Sequence, residues 1–244
     1  GYGYYNEFRR ASALGKKFGL NVYDADGELI ESEAVRRKGL TQNNYGALYN
    51  VSYHDDAWDV MGGLSAQMFR CNHWGYLTYI ANEEVERQYL TDGGKYKYYD
   101  SDADKNDYSW FVKAAYNFGS GWNAFADMQM RIVDYTTDGV NDKFIKGKKD
   151  GRKFYTQQQL NIDETYVFYN PKAGISYTRG GHKAYASVAY ANREPERNNF
   201  TDNSSAALPK AEHLFDTELR YQYRTANWYA SANLYYMRYI NQFV

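Results

Sequence analysis

Residues 108–132 read YSWFVKAAYNFGSGWNAFADMQMRI, and this stretch decides the fold. Before the turn at Phe118-Gly119-Ser120-Gly121 the even positions are Tyr108, Trp110, Val112, Ala114, Tyr116 and Phe118; after it they are Trp122, Ala124, Ala126, Met128, Met130 and Ile132. The odd positions are mostly polar and include Lys113, Asp127 and Arg131. Strict period-two alternation marks β-strands, because successive Cβ atoms leave opposite faces of the pleat. The stretch is a predicted hairpin with one apolar face, edged with aromatic rings, and one mostly polar face.

Two kinds of sheet give this pattern. In a soluble sandwich the apolar face meets a second sheet and the polar face meets water. In a transmembrane barrel the apolar face meets lipid and the polar face lines a lumen. The rings favour the barrel: Phe118 and Trp122 flank the turn, with small or aliphatic residues behind them, as amphipathic rings do at headgroup level.

The pattern recurs outward along the chain. Tyr45, Ala47, Tyr49, Val51 and Tyr53 alternate up to Asp55-Asp56-Ala57 and return through Trp58, Val60, Gly62, Leu64, Ala66 and Met68. Pro171, Ala173, Ile175 and Tyr177 lead to Arg179-Gly180-Gly181 and back through His182, Ala184, Ala186, Val188 and Tyr190. Phe215, Thr217, Leu219, Tyr221 and Tyr223 lead to Thr225-Ala226-Asn227 and on to Trp228, Ala230, Ala232, Leu234 and Tyr236. Each unit is an aromatic residue, a tight turn, then Trp or His. Between the units the sequence predicts long polar connections over residues 9–42, 70–107, 136–163 and 192–212, while residues 1–8 read as the tail of a strand. Short turns on one side and long loops on the other are the signature of an outer-membrane barrel. A strand of about 11 residues tilted by about 40° rises roughly 28 Å, enough for an apolar band about 25 Å tall. The expected fold is thus all-β: an antiparallel up-and-down transmembrane barrel with long extracellular loops, short periplasmic turns and about eight full strands within one domain over residues 1–244.

Composition agrees. The 244 residues include 28 Tyr against 3 Pro, and the mean hydropathy is -0.80. No stretch approaches the ~18 uninterrupted apolar residues of a membrane helix, whereas a barrel tolerates low mean hydropathy because only alternate residues touch lipid. A formal net charge of -1 gives no general electrostatic case for nucleic acid or an acidic membrane surface. One cysteine, Cys71, excludes an intramolecular disulfide framework. The opening Gly1-Tyr2-Gly3-Tyr4-Tyr5 resembles the end of a strand, so the chain is expected to be an interior piece of a longer protein.

From Tyr169 onward a resemblance emerges. The segments 170–177, 189–195 and 197–202, together with Glu218-Leu219-Arg220-Tyr221 and the run 233–239, resemble the later barrel strands of TonB-dependent outer-membrane receptors. The resemblance covers the whole chain loosely and residues 169–244 closely. Gly3-Tyr4-Tyr5 and the long loops are similar to versions from Bacteroidota, and Arg193-Glu194-Pro195 is more like the siderophore and vitamin type than the glycan-importing type. It implies part of a barrel of about 22 strands filled by a plug, importing a siderophore, haem, vitamin or similar scarce nutrient across the bacterial outer membrane with TonB-coupled energy. The implied partners are outer-membrane lipid, the TonB complex through a plug, a small-molecule ligand and, where one covers the loops, a surface lipoprotein. Residues 1–244 are expected to supply barrel strands only, with plug and TonB-box segment not expected among them. A small closed barrel with a structural or adhesive role is the alternative, although the inward Ser, Asn, Lys, Asp and Gly are too polar and open to fill a narrow bore.

For ligand capture the loop side is favoured: Arg131, Arg193, Glu194, Arg197 and Asn198. Arginine offers a planar fork for carboxylates or phosphates. The bland reading is that these residues, like Lys113, Asp127, Lys172, Lys183, Glu218, Arg220 and Arg224, make cross-strand or plug contacts. Asp100, Asp102 and Asp104 resemble the start of a calcium loop, but Lys105 stands where the turn glycine belongs and Phe111 where a bidentate Glu belongs; loop calcium is a weak reading and no cofactor is expected. His54, His73, His182 and His213 have no metal-type spacing. Cys71 and His73 stand two apart in an expected loop with no third group to orient them, so no enzyme is expected.

Overall fold

The computed structural model describes residues 1–91, 93–202 and 208–242. The middle of the 192–212 connection and the terminal Phe243-Val244 lie outside the described residues. Nine strands form one antiparallel sheet in chain order: β1 (Tyr2–Ala13), β2 (Glu31–His54), β3 (Trp58–Ile80), β4 (Tyr96–Gly119), β5 (Trp122–Lys149), β6 (Arg152–Arg179), β7 (His182–Arg193), β8 (Glu212–Arg224) and β9 (Tyr229–Ile240). Three short helices interrupt them: α1 (Leu14–Phe18), α2 (Glu83–Tyr89) and α3 (Arg197–Thr201). This up-and-down meander is the expected fold, with nine strands where about eight full ones were expected: β1, read from the sequence as a strand tail, has 12 residues, as β7 and β9 do. The order is open, with β1 and β9 each having one neighbour.

Three expected loops instead hold long runs of strand. β1 runs on to Ala13 and β2 starts at Glu31; β3 reaches Ile80 and β4 starts at Tyr96; β5 and β6 meet at a turn of Asp150-Gly151. These extensions are rich in Lys, Asp and Arg beside their Tyr and Thr and carry polar residues on both faces, so the alternation that reveals a half-apolar strand is absent.

The chain divides into two compact units. The first comprises Gly1–Tyr45, Met68–Lys105 and Tyr135–Glu164. It holds a dry core of Leu14, Phe18, Leu20, Leu77, Ile80 and Val85 with Tyr98 and Tyr99, in which the rings of Phe18 and Tyr98 meet edge to face at 5.2 Å. Helix α2 is built to start where it does: the Asn82 side chain accepts the Val85 N–H at 3.1 Å, and Glu83, Glu84 and Glu86 complement the positive end. Such a cap contributes about 1 kcal/mol. Asn21 ties its segment to β6 by donating to the Tyr155 carbonyl at 2.8 Å and accepting from the Tyr155 N–H at 2.8 Å.

The second unit comprises Gly46–Gln67, Asn106–Asp134 and Thr165–Val244. Its apolar face has no covering layer among the described residues: Val112 is 47% exposed, Ile175 44% and Leu234 70%. A soluble protein rarely leaves so large an apolar surface bare, because each square ångström costs roughly 25 cal/mol in water. Shallow furrows on this face, one lined by Val112, Ala114, Ala126, Met128, Ala173 and Val188, have the chemistry of acyl-chain contact.

At the tight-turn ends of these strands Trp58, Trp122 and His182, each following a turn, meet an aromatic ring of another strand. Trp58 lies 4.7 Å from Tyr116, Trp122 4.7 Å from Tyr177, and His182 4.6 Å from Tyr223. The recurring sequence unit is thus a girdle of ring contacts. Short side chains hold the turns: Asp55 accepts from the N–H groups of Ala57 and Trp58 at 2.9 and 2.6 Å, and Thr225 from that of Trp228 at 3.0 Å, the Asx and Ser/Thr turn chemistry. Gly121 has a φ of +89°, and a Cβ there would lie 2.1 Å from the Thr178 carbonyl oxygen, so glycine is required.

Candidate ligand-binding site

Arg131 sits on β5 with the odd-numbered, polar alternation of Asp127 and Gln129, and Asp107 on β4 with that of Ser109 and Lys113. Counting outward from the turn at Gly119-Ser120-Gly121 brings the two to nearly the same level. The Arg131 Nε donates to both Asp107 carboxylate oxygens, at 3.1 and 2.9 Å. Its Nη1 donates to Glu194 Oε2 at 2.8 Å and its Nη2 to Glu194 Oε1 at 2.9 Å. The side chains are 24% exposed for Arg131, 17% for Asp107 and 11% for Glu194, sheltered enough for charge-assisted bonds to count.

Beyond this pair of carboxylates the chain is stitched by amides. Asn170 donates to Gln129 at 3.1 Å and accepts from the Asn192 backbone N–H at 2.9 Å; Asn192 donates to the Tyr169 carbonyl at 2.8 Å. Arg193 reaches Glu212 at 3.3 Å. Helix α3 opens with a capping box in which Asn199 accepts the Glu196 N–H at 2.7 Å. Phe200 and Thr201 are buried, while Asn198 is exposed.

Of the five residues expected to capture ligand, the structure therefore brings Arg131 and Glu194 together, into one ion cluster. Arg193 pairs elsewhere, with Glu212, and Arg197 and Asn198 stand at the start of α3. The Arg131 fork is occupied by protein carboxylates, which makes it an anchor for the segment that carries the other four. Asp107 completes the cluster and was not singled out from the sequence; its parity and its distance from the turn were the available signal.

Asp100, Asp102 and Asp104, which the sequence places in a polar loop, lie on strand β4. Asp100 accepts from Asn72 at 2.8 Å and pairs with Lys97, Asp102 accepts from Asn72 at 2.9 Å, and Asp104 faces Arg70 at 3.6 Å. They lie along a strand and are engaged with an amide and cations. Cys71 and His73 likewise lie on β3 and not in a loop; Cys71 is buried, its Sγ 3.4 Å from His73 Nε2.

No protein-family model matches the sequence, and no curated protein matches it. By structure the chain is similar to the copper transporter OprC, with a TM-score of 0.60 and 13% identity over 97% of this chain and 35% of that one. It is also similar to the closed form of the ferric-catecholate import receptor Fiu from E. coli K12, with a TM-score of 0.52 and 12% identity over 86% of this chain and 32% of that one. The chain thus spans about a third of the length of these proteins. Its fold is that of part of the barrel wall of TonB-dependent receptors. Both similar proteins are transporters or receptors by name and not enzymes. No helix among the described residues is long and apolar enough to cross a membrane.

Proposed function

We propose that this chain forms part of the wall of an active transporter in the bacterial outer membrane, which binds a siderophore, haem, vitamin or similar scarce nutrient at its extracellular loops and imports it with TonB-coupled energy. The observation that carries the reading is the open nine-strand meander whose bare apolar face ends in a ring girdle at the tight turns. Hydrocarbon is the solvent that suits that face, and the opposite face, with its amides and the Arg131 cluster, suits a wide polar lumen. The polar alternation of Lys113, Asp127 and Gln129 favours a wide barrel over a small closed one, whose bore inward side chains must fill. In this reading the Arg131–Glu194 anchor positions Arg193, Arg197 and Asn198 at the loop end, where arginine forks suit an anionic cargo.

Growth of a deletion strain on single iron, haem or vitamin sources tests this. The expected result is loss of growth on one source, reproduced by inactivating TonB. Normal growth on every source with a fragile outer membrane would instead support a structural role.

A further inference from the structure

The β5–β6 hairpin ends in a concentration of positive charge. Each of the two strands runs for 28 residues, where about 11 cross the apolar band, and Asp150-Gly151 joins them at the end opposite the tight turns. Between positions 142 and 153 stand six cations, Lys143, Lys146, Lys148, Lys149, Arg152 and Lys153, against Asp142 and Asp150. All six cations are exposed, and Asp142 is taken by Lys38. Lys153 pairs with Glu28 at 2.9 Å, the Arg152 guanidinium lies 5.4 Å from the Tyr23 ring centre, and Lys149 lies 5.5 Å from that of Phe154. Lys146 and Lys148 have no carboxylate partner among the described residues. The hairpin is held in place, since Asn21 takes both backbone groups of Tyr155 and the Tyr23 hydroxyl donates to the Lys153 carbonyl at 2.8 Å.

The arrangement of these cations selects the partner. Lys146 and Lys148 share one alternation, Lys143 and Lys149 the other, so charge leaves both faces of the ribbon. From Lys143 to Lys149 it is strung over roughly 20 Å, at ~3.4 Å per residue, and does not converge on one point as a small anion requires. A protein partner needs a buried aromatic or arginine anchor, and lysine is depleted from such interface cores. Here the one arginine lies over Tyr23, and Phe144 and Phe154 are half-buried. For the same reason no free ring offers the platform on which nucleobases stack. The chemistry left is that of a flexible polymer with charge repeated along its length.

We propose that the tip of the β5–β6 hairpin binds an acidic polysaccharide, a chain whose sugars carry carboxylates, at the cell surface. Lysines that neutralise a polyanion release its condensed counterions, so affinity builds from several separate contacts and falls steeply with salt. The Lys153–Glu28 pair is such a carboxylate contact, made here within the chain. A hairpin already fixed by Asn21 and Tyr23 lowers the ordering cost of binding. The inference rests on the barrel reading for the side of the membrane on which the tip stands, and is independent of what is imported.

The test measures binding of polygalacturonate, and of the same polymer with its carboxylates methyl-esterified, to the full transporter in nanodiscs across a salt series. The wild type is expected to hold the charged polymer about tenfold more tightly than the esterified one. The Lys146→Gln/Lys148→Gln/Lys149→Gln variant is expected to lose most of that preference. It should also lower the slope of log Kd against log salt by about two, at roughly 0.7 per lost contact. A charge-matched Lys113→Gln/Lys172→Gln/Lys183→Gln control is expected to keep both. Should the triple variant not fold, judged by heat-modifiable gel migration, Lys146→Gln/Lys148→Gln carries the test, with a slope lower by about 1.4. Equal binding by folded variant and wild type would overturn the proposal, as would equal affinity for the two polymers. Tighter binding of duplex DNA than of polygalacturonate would make the tip a nucleic-acid site and overturn it too. Binding to the purified protein but not to intact cells would support the site and overturn the outward orientation of the hairpin.

Discussion

Arg131 grips Glu194 across 63 residues of chain with two parallel bonds, Nη1 to Oε2 at 2.8 Å and Nη2 to Oε1 at 2.9 Å, while its Nε holds Asp107. One guanidinium thereby joins β4, β5 and the start of the β7–β8 connection. Replacing Arg131 with Met leaves two sheltered carboxylates facing each other. The expected cost is about 2–3 kcal/mol, read as faster proteolysis within residues 192–212 of the folded protein. If Arg131→Met and Glu194→Gln have additive effects in a double-mutant cycle, the two side chains are not coupled and the anchor is wrong.

The two faces of β5 should respond oppositely to charge. Ala126 is exposed on the apolar face, and Ala126→Arg should destabilise by roughly 2–4 kcal/mol when the protein refolds into bilayers. Gln129, on the other face and bonded to Asn170, should accept Arg at far lower cost. Equal penalties would refute the assignment of lipid and lumen faces.

Asp55 gives the β2–β3 turn a pH dependence. The N–H of Trp58, then the Tyr53 hydroxyl and the N–H of Ala57, hold its carboxyl below the ordinary 3.8. A folded-state value below the unfolded one means the contribution is present above the ordinary value and fades as pH falls through the folded one. Acid unfolding should therefore steepen from about pH 4 downward, and Asp55→Asn should remove that component. An unchanged acid profile in Asp55→Asn would show that the turn does not depend on the carboxylate.

Gly39 is the neighbour that lets Trp74 lie against the sheet. A methyl at this position would press on the indole ring at 2.3 Å. Gly39→Ala should cost about 1–3 kcal/mol through overpacking and shift the Trp74 fluorescence as the ring leaves Tyr2. Trp74→Leu, made in the same background, identifies which tryptophan reports the change.

The hairpins show how far the sequence can be read. Trp58, Trp122 and His182 mark the strand starts because alternation and turn chemistry are local, and a ring beside a tight turn is visible without coordinates. The extended parts of β3 and β4 were not legible as strand: around Asn72, Trp74 and Lys97 both faces are polar or aromatic, so no period distinguishes strand from loop. Asp100, Asp102 and Asp104 were expected in a loop and lie on β4 for the same reason, since a spacing of two suits a strand face as well as a loop.

The amino-acid sequence alone determined the meander, its turns and which alternation is apolar, because each depends on periods and dipeptides that nearest neighbours enforce. Only the tertiary structure decided that Arg131 takes both Asp107 and Glu194, and that Tyr23 and Glu28 meet Arg152 and Lys153. Those meetings depend on the register between strands and on chain brought back from far away in sequence, and no local pattern encodes either.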